Sequence, residues 1–240
     1  MTRSLPLWVL TAATAACAAD GQGDFGRLEN RTDATVVLVG PEAWTYGDDR
    51  WAIDCDAESL TVDVVGDALV IDADAAVTPA CEVHARTGRI DAVWCNSDGP
   101  LRHLGEVTDL HELTVTGNGE VDLDVVITDH LDIAAGGNGA LSVRSLLADR
   151  LTLDLGGNGD VTLGGVVRDA RFDISGNGDL DARALLLQDL FIAMTGSGTA
   201  VVTVAGSIDG AVSGNGQLDV FGAPSGAVDT QGSAVVTLHD

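Results

Sequence analysis

The chain contains no lysine. All twelve of its basic residues are arginine, set against 37 Asp and Glu, and the formal net charge is -25. Nucleic acid is thereby set aside as a partner, because binding it needs a cationic footprint. Anionic lipid head groups are disfavoured by the same sign. Such a charge keeps an edge-rich β-protein soluble, and it also suits a divalent cation or a cationic partner. Aromatic residues are scarce too, at 4% with one tyrosine, so the 45% of apolar residues are mainly Val, Leu, Ala and Ile. Long apolar runs are nearly absent. The one candidate, Leu5 to Ala16, is twelve residues long. It is too short for a membrane-spanning helix and follows Arg3, as in a signal peptide.

What the chain has in quantity is glycine, thirty residues of it, much of it in one tripeptide. Gly-Asn-Gly centres on Asn118, Asn138, Asn158, Asn177 and Asn215, with Gly-Ser-Gly at Ser197 and Gly-Ser-Ala at Ser233. The centres advance by 20, 20, 19, 20, 18 and 18 residues. A fixed period near twenty is the mark of a solenoid. Apolar residues recur five and three before each centre (Leu113 and Val115, Ile133 and Ala135, Leu153 and Leu155). They recur again three and five after it (Val121 and Leu123, Leu141 and Val143, Val161 and Leu163). This period-two alternation predicts two short strands around each turn. A second apolar group, Val126-Ile127, Leu146-Leu147, Val166-Val167 and Leu185-Leu186, would line a third side. So short a coil cannot bury its own apolar face, and stacked coils bury it together. The expected fold is all-β, a right-handed parallel β-helix of about 20-residue coils without helices.

The organisation follows from these patterns. Residues 1-16 read as a signal peptide of the lipoprotein type, small residues standing before Cys17, the expected lipid attachment site. Residues 17-33 read as a tether. Residues 34-240 read as one β-helix domain, with irregular N-terminal coils and cap at 34-108 and regular repeats at 109-240. Three further cysteines, Cys55, Cys81 and Cys95, suit one disulfide in an oxidising compartment. Cys81 with Cys95 closes the shortest loop. Trp44, Tyr46 and Trp51 form the main aromatic cluster. They are either a contact surface or a plug for the open N-terminal end.

The repeated corner invites a structural and a functional reading. Structurally, glycine supplies positive φ or close backbone approach, and stacked Asn118, Asn138, Asn158, Asn177, Ser197 and Asn215 would form a side-chain ladder. Functionally, Gly156-Gly-Asn-Gly-Asp160 looks like the calcium nonapeptide of β-rolls. However, the period is wrong and half the copies lack the acid, which leaves a weak peripheral calcium site between Asp160 and Asp179. No cofactor and no metal site is expected otherwise. His111 and His130 lie 19 apart, close to one coil, and would be stacked neighbours. A metal pair is conceivable there, but exposed or satisfied histidines are the expectation. The carboxylates scatter over several columns, and no nucleophile elbow or phosphate loop is present.

The segments Thr116-Gly-Asn-Gly-Glu-Val121, Ser175-Gly-Asn-Gly-Asp-Leu180, Thr195-Gly-Ser-Gly198 and Ser213-Gly-Asn-Gly-Gln-Leu218 carry a resemblance. They are similar to the degenerate repeats of the putative autotransporter adhesin, head GIN domain family, over roughly residues 34 to 240. The resemblance implies a β-solenoid fold, an extracytoplasmic location and no catalytic residues. The expected role is surface binding, adhesion or envelope structure, with an unknown surface protein or glycan as partner and membrane contact only through the lipid anchor. The rivals are a polysaccharide lyase or glycosidase, which would need carboxylate pairs and sugar-stacking aromatics, and a calcium-stabilised binding module.

Overall fold

In a computed structural model the described residues are 20–21, 25, 27–32, 35–39, 51–54, 60–65, 68–73, 82–86 and 90–239. All regular structure among them is strand. The coils stack in parallel, about seven of them, as a β-solenoid. From residue 121 the strands are long. Val121–Ala135, Leu141–Leu155 and Val161–Ile174 each run from one Gly-Asn-Gly corner to the next, and Leu180–Gly196 runs into the Gly-Ser-Gly corner at Ser197. The expected two or three strands per coil are thus one ladder that bends at register shifts, such as those between Val143 and Leu146 and between Thr162 and Gly164.

The register explains the period. Leu101, Val121, Leu141, Val161, Leu180 and Ala200 pair in sequence, each with its counterpart on the next coil. So do Leu113, Ile133, Leu153, Phe172 and Ile192. Every one of these side chains is buried. Alternate residues point out, and a one-residue slip would turn a whole column from core to solvent. The core is therefore a bundle of aliphatic columns along the solenoid axis.

The N-terminal part departs from chain order. Arg27–Asn30 pairs in parallel with both Ala68–Ala73 and Ala92–Cys95. Thr35–Val39 likewise lies between Glu82–Arg86 and Leu101–Thr108. The first coil is thus inserted between two later ones. Arg27–Asn30 falls within the stretch read as a tether, yet Leu28 is fully buried and the strand is internal. Beyond Ala68–Ala73 and Glu82–Arg86 the direction reverses. Leu60–Val65 runs antiparallel to Ala68–Ala73, and Trp51–Asp54 runs antiparallel to Glu82–Arg86. These strands close the end of the stack, where a further parallel coil would leave an open edge.

Candidate functional site

The corner comes first. Its glycines answer to the neighbouring coil. A Cβ at Gly137 or Gly139 would fall well inside contact of the Gly117 or Gly119 carbonyl oxygen, and Gly157, Gly159, Gly176 and Gly178 repeat the conflict one coil further on. None of these six has positive φ. Positive φ enters only at later corners, at Gly196, Gly214 and Gly232. Of the two expected reasons for glycine, the early repeats use close approach, backbone passing over backbone, and not a left-handed turn.

The asparagines between them form the ladder. Asn138 Nδ2 donates to Asn118 Oδ1 at 2.8 Å, Asn158 to Asn138 at 2.9 Å and Asn177 to Asn158 at 3.1 Å. Asn118 Nδ2 donates to Asp98 Oδ1 at 2.6 Å. A carboxylate can only accept, so Asp98 sets the direction of every amide above it. Asp98 was not singled out in the sequence, although it lies twenty residues before Asn118 in a Ser-Asp-Gly copy of the corner. Ser197 and Asn215 add no side-chain bond to the ladder. The corner changes there: five residues separate Val115 from Val121, but two separate Gly196 from Thr199.

The acids after the corner are engaged as well. Asp179 Oδ1 accepts from Thr199 N at 2.7 Å, and Asp160 Oδ1 accepts from Asp179 N at 3.4 Å. Each thus caps a backbone donor of the next coil. Elsewhere exposed carboxylates pair with arginine: Asp173 with Arg171 at 2.8 Å, Asp169 with Arg168 at 3.0 Å, and Asp124 with Arg144.

Of the two readings of the aromatic cluster, contact surface or plug, Trp51 fits the plug. Trp51 is 7% exposed, within the core under the antiparallel cap, and its indole N–H has no partner. It offers no contact surface, because the cap strand turns it inward onto the last coil. Trp44 and Tyr46 lie outside the described residues, as do Cys17 and Cys81. Trp94, not singled out before, donates from Nε1 to Glu112 Oε1 at 2.9 Å and is covered by the Arg27 guanidinium, 4.5 Å from the ring centroid. Cys95 carries a free, buried thiol, so the expected Cys81–Cys95 bridge is not made. Its side chain points into the core in register with Asn30 and Val115. Burial pushes that thiol up to about 12.

Two features face solvent. The paired apolar residues expected to line a third side divide: Val126, Leu146, Val167 and Leu185 point inward, and Leu147, Val166 and Leu186 point out, 53%, 50% and 45% exposed. These three are register partners on consecutive coils, and Ile127 precedes them. They make an aliphatic ridge. The second feature is a shallow cleft of about 410 Å³ lined by His111, Glu112, Thr114, His130, Asp132 and Ala134. At its rim the His111 and His130 rings lie with centroids 4.4 Å apart, tilted 31° to each other. Both reach Asp129 Oδ1, His111 Nε2 at 3.1 Å and His130 Nδ1 at 3.0 Å. The His130 bond, followed by that of His111, holds the Asp129 carboxyl below the usual carboxylate range.

Together these features define a class, an acidic parallel β-solenoid with an amide-laddered corner. A family model described as "Putative auto-transporter adhesin, head GIN domain" matches residues 52–224, and the chain belongs to that family. No curated protein matches the sequence. Among solved structures, a putative adhesin from Parabacteroides distasonis ATCC 8503 is 18% identical with a TM-score of 0.78, over 90% of this chain and 93% of that one. A putative adhesin from Parabacteroides merdae ATCC 43184 is 16% identical, TM-score 0.76, over 91% and 93%. A third, described as a putative lipid binding protein from Parabacteroides distasonis ATCC 8503, is 17% identical, TM-score 0.77, over 90% and 93%.

Proposed function

We propose that this chain is an exported, non-catalytic β-solenoid, held at a bacterial envelope through Cys17, that binds an apolar patch of a surface protein with one face of its coils. The observation that carries this reading is the ridge of Leu147, Val166 and Leu186. Exposed aliphatics aligned on a rigid sheet are a feature of interaction surfaces. A surface protein is preferred to a glycan because the ridge offers no aromatic platform for sugar rings. The family and its adhesin relatives support a binding role over a catalytic one.

The test compares wild-type protein with a Leu147→Ser, Val166→Ser, Leu186→Ser triple variant. Both are immobilised on beads and presented with matrix proteins, a glycan array and phosphatidylcholine vesicles. Saturable retention of a protein, reduced at least tenfold in the triple variant, is the expected result. Retention of vesicles alone would move the reading to lipid binding. Release of reducing ends from any polysaccharide would overturn the non-catalytic assignment.

A further inference from the structure

We propose that His111, Asp129 and His130 form a binding site for a divalent transition-metal ion of the zinc class. The three residues come from two adjacent coils. Asp132 N donates to the His111 carbonyl oxygen at 2.8 Å, which ties the start of Glu112–Val115 to the coil that carries His130. Two residues before His111, Asp109 adopts φ 61, the sole positive φ at a non-glycine residue among those described. After that turn Leu110 is buried in the core while His111 remains partly exposed. His111 and His130 therefore stand side by side on a stiff ladder, and Asp129 adjoins both.

The donor set is chemically matched to such an ion. Two imidazoles and one carboxylate are the ligands that zinc and its neighbours take in open sites, with bonds of about 2.0–2.2 Å. Ligand atoms around such an ion lie about 3 Å apart, the edge that those bond lengths give in tetrahedral or octahedral geometry. The Asp129 oxygen already stands 3.1 Å and 3.0 Å from the two imidazole nitrogens. All three donor atoms lie within 4.8 Å of one another. Metal binding would replace the two hydrogen bonds, moving each imidazole proton to the ring nitrogen that faces away. Calcium is a poor match, since it prefers a larger shell of oxygens.

The surroundings favour a cation. Glu112 and Asp132 line the same cleft and are register partners. The whole chain carries a net charge of -25, which raises the local concentration of a divalent ion. The cleft side is open, so the remaining coordination positions are available to water or to a side chain of a bound protein. This site is independent of the aliphatic ridge, and its failure would leave that surface untouched.

Untagged, chelator-treated protein titrated with zinc chloride in a calorimeter provides the test, with the visible spectrum of cobalt(II) as a second probe. One equivalent of zinc is expected to bind with a Kd in the micromolar range or below. His111→Gln and His130→Gln should each weaken it at least tenfold, and Asp129→Asn several-fold. His239→Gln, at the other end of the molecule, should change nothing. Zinc should also raise the Tm of the wild type and not that of the His111→Gln, His130→Gln double variant, whose metal-free Tm reports folding. Absence of a saturable one-equivalent phase up to 1 mM zinc overturns the site. So does zinc binding that survives in the double variant. Loss in the histidine variants without any effect of Asp129→Asn overturns the three-ligand assignment.

Discussion

Asn158 is bonded on both sides, donating to Asn138 at 2.9 Å and accepting from Asn177 at 3.1 Å. Its removal therefore breaks two side-chain hydrogen bonds at once. Asn158→Ala is expected to cost about 1–3 kcal/mol, at roughly 0.5–1.5 kcal/mol per hydrogen bond. Asn177→Ala, at the upper end of the bonded run, should cost about half as much. Chemical denaturation of both variants checks the ratio.

The flanking glycines predict a sharper contrast. Gly157→Ala places a methyl against the Gly137 carbonyl, whereas Gly136→Ala meets only Thr116 Cγ2, at 3.8 Å. The first is expected to lose about 2–4 kcal/mol through forced backbone displacement, and the second to stay within about 0.5 kcal/mol. Equal melting temperatures for the two would refute the close-approach account of the corner.

His103 is 1% exposed, and neither ring nitrogen has a partner. It stands in a core column between Leu38 and Leu123. Burial depresses its imidazole below the ordinary value of 6.5, an effect partly offset by the Asp124 carboxylate. Above that ordinary value both folded and unfolded forms are neutral and stability is full. As pH falls below it, the unfolded chain takes up a proton that the folded chain resists, so stability is lost. His103→Leu should abolish this component of the pH 7.5 to 5 dependence and add about 1–3 kcal/mol at neutral pH. Urea midpoints across that range decide it.

Cys95 should be inert to a thiol reagent in the native state and react on unfolding, because its thiol is buried and shifted to about 12. Mass mapping of the labelled peptide before and after denaturation measures this. The anchor is tested separately. Palmitate labelling is expected in wild-type cells and absent in Cys17→Ser.

The inward and outward faces of adjacent coils should respond differently, Leu163 lying on Val161–Ile174 and Leu147 on Leu141–Leu155. Leu163 is fully buried, and Leu163→Ala is expected to cost about 2–5 kcal/mol. Leu147→Ala, on the outward ridge, should cost less than about 0.5 kcal/mol. Thermal melts of the pair separate core from contact surface.

Much of this fold was legible in the sequence because period and pattern agree. The spacing of Asn118, Asn138, Asn158 and Asn177 located the corners, and alternation placed Leu141 and Val143 in the core. Alternation could not divide Leu146 from Leu147, since both are apolar and only the register of the neighbouring coil shows which points out. It named glycine correctly at the corner but could not choose between positive φ and close approach, because residue type does not report how closely another chain segment passes. The insertion of Arg27–Asn30 between later coils has no local signature, and neither has the reversal that buries Trp51. Two site residues were within reach. His103 lies twenty residues before Leu123, a core position, and Asp129 adjoins a histidine already paired by period with His111.

The stacking of corner on corner also makes this molecule a ruler. Each coil touches its neighbours in the stack, so a duplicated coil, such as residues 138–157, would find its own partners. It would lengthen the solenoid by about 4.8 Å, one sheet spacing. The distance from the capped N-terminal end to the C-terminal edge at Val235–His239 is then graduated in whole coils. Copy number alone then sets the length of such a solenoid, leaving the chemistry of every coil unchanged.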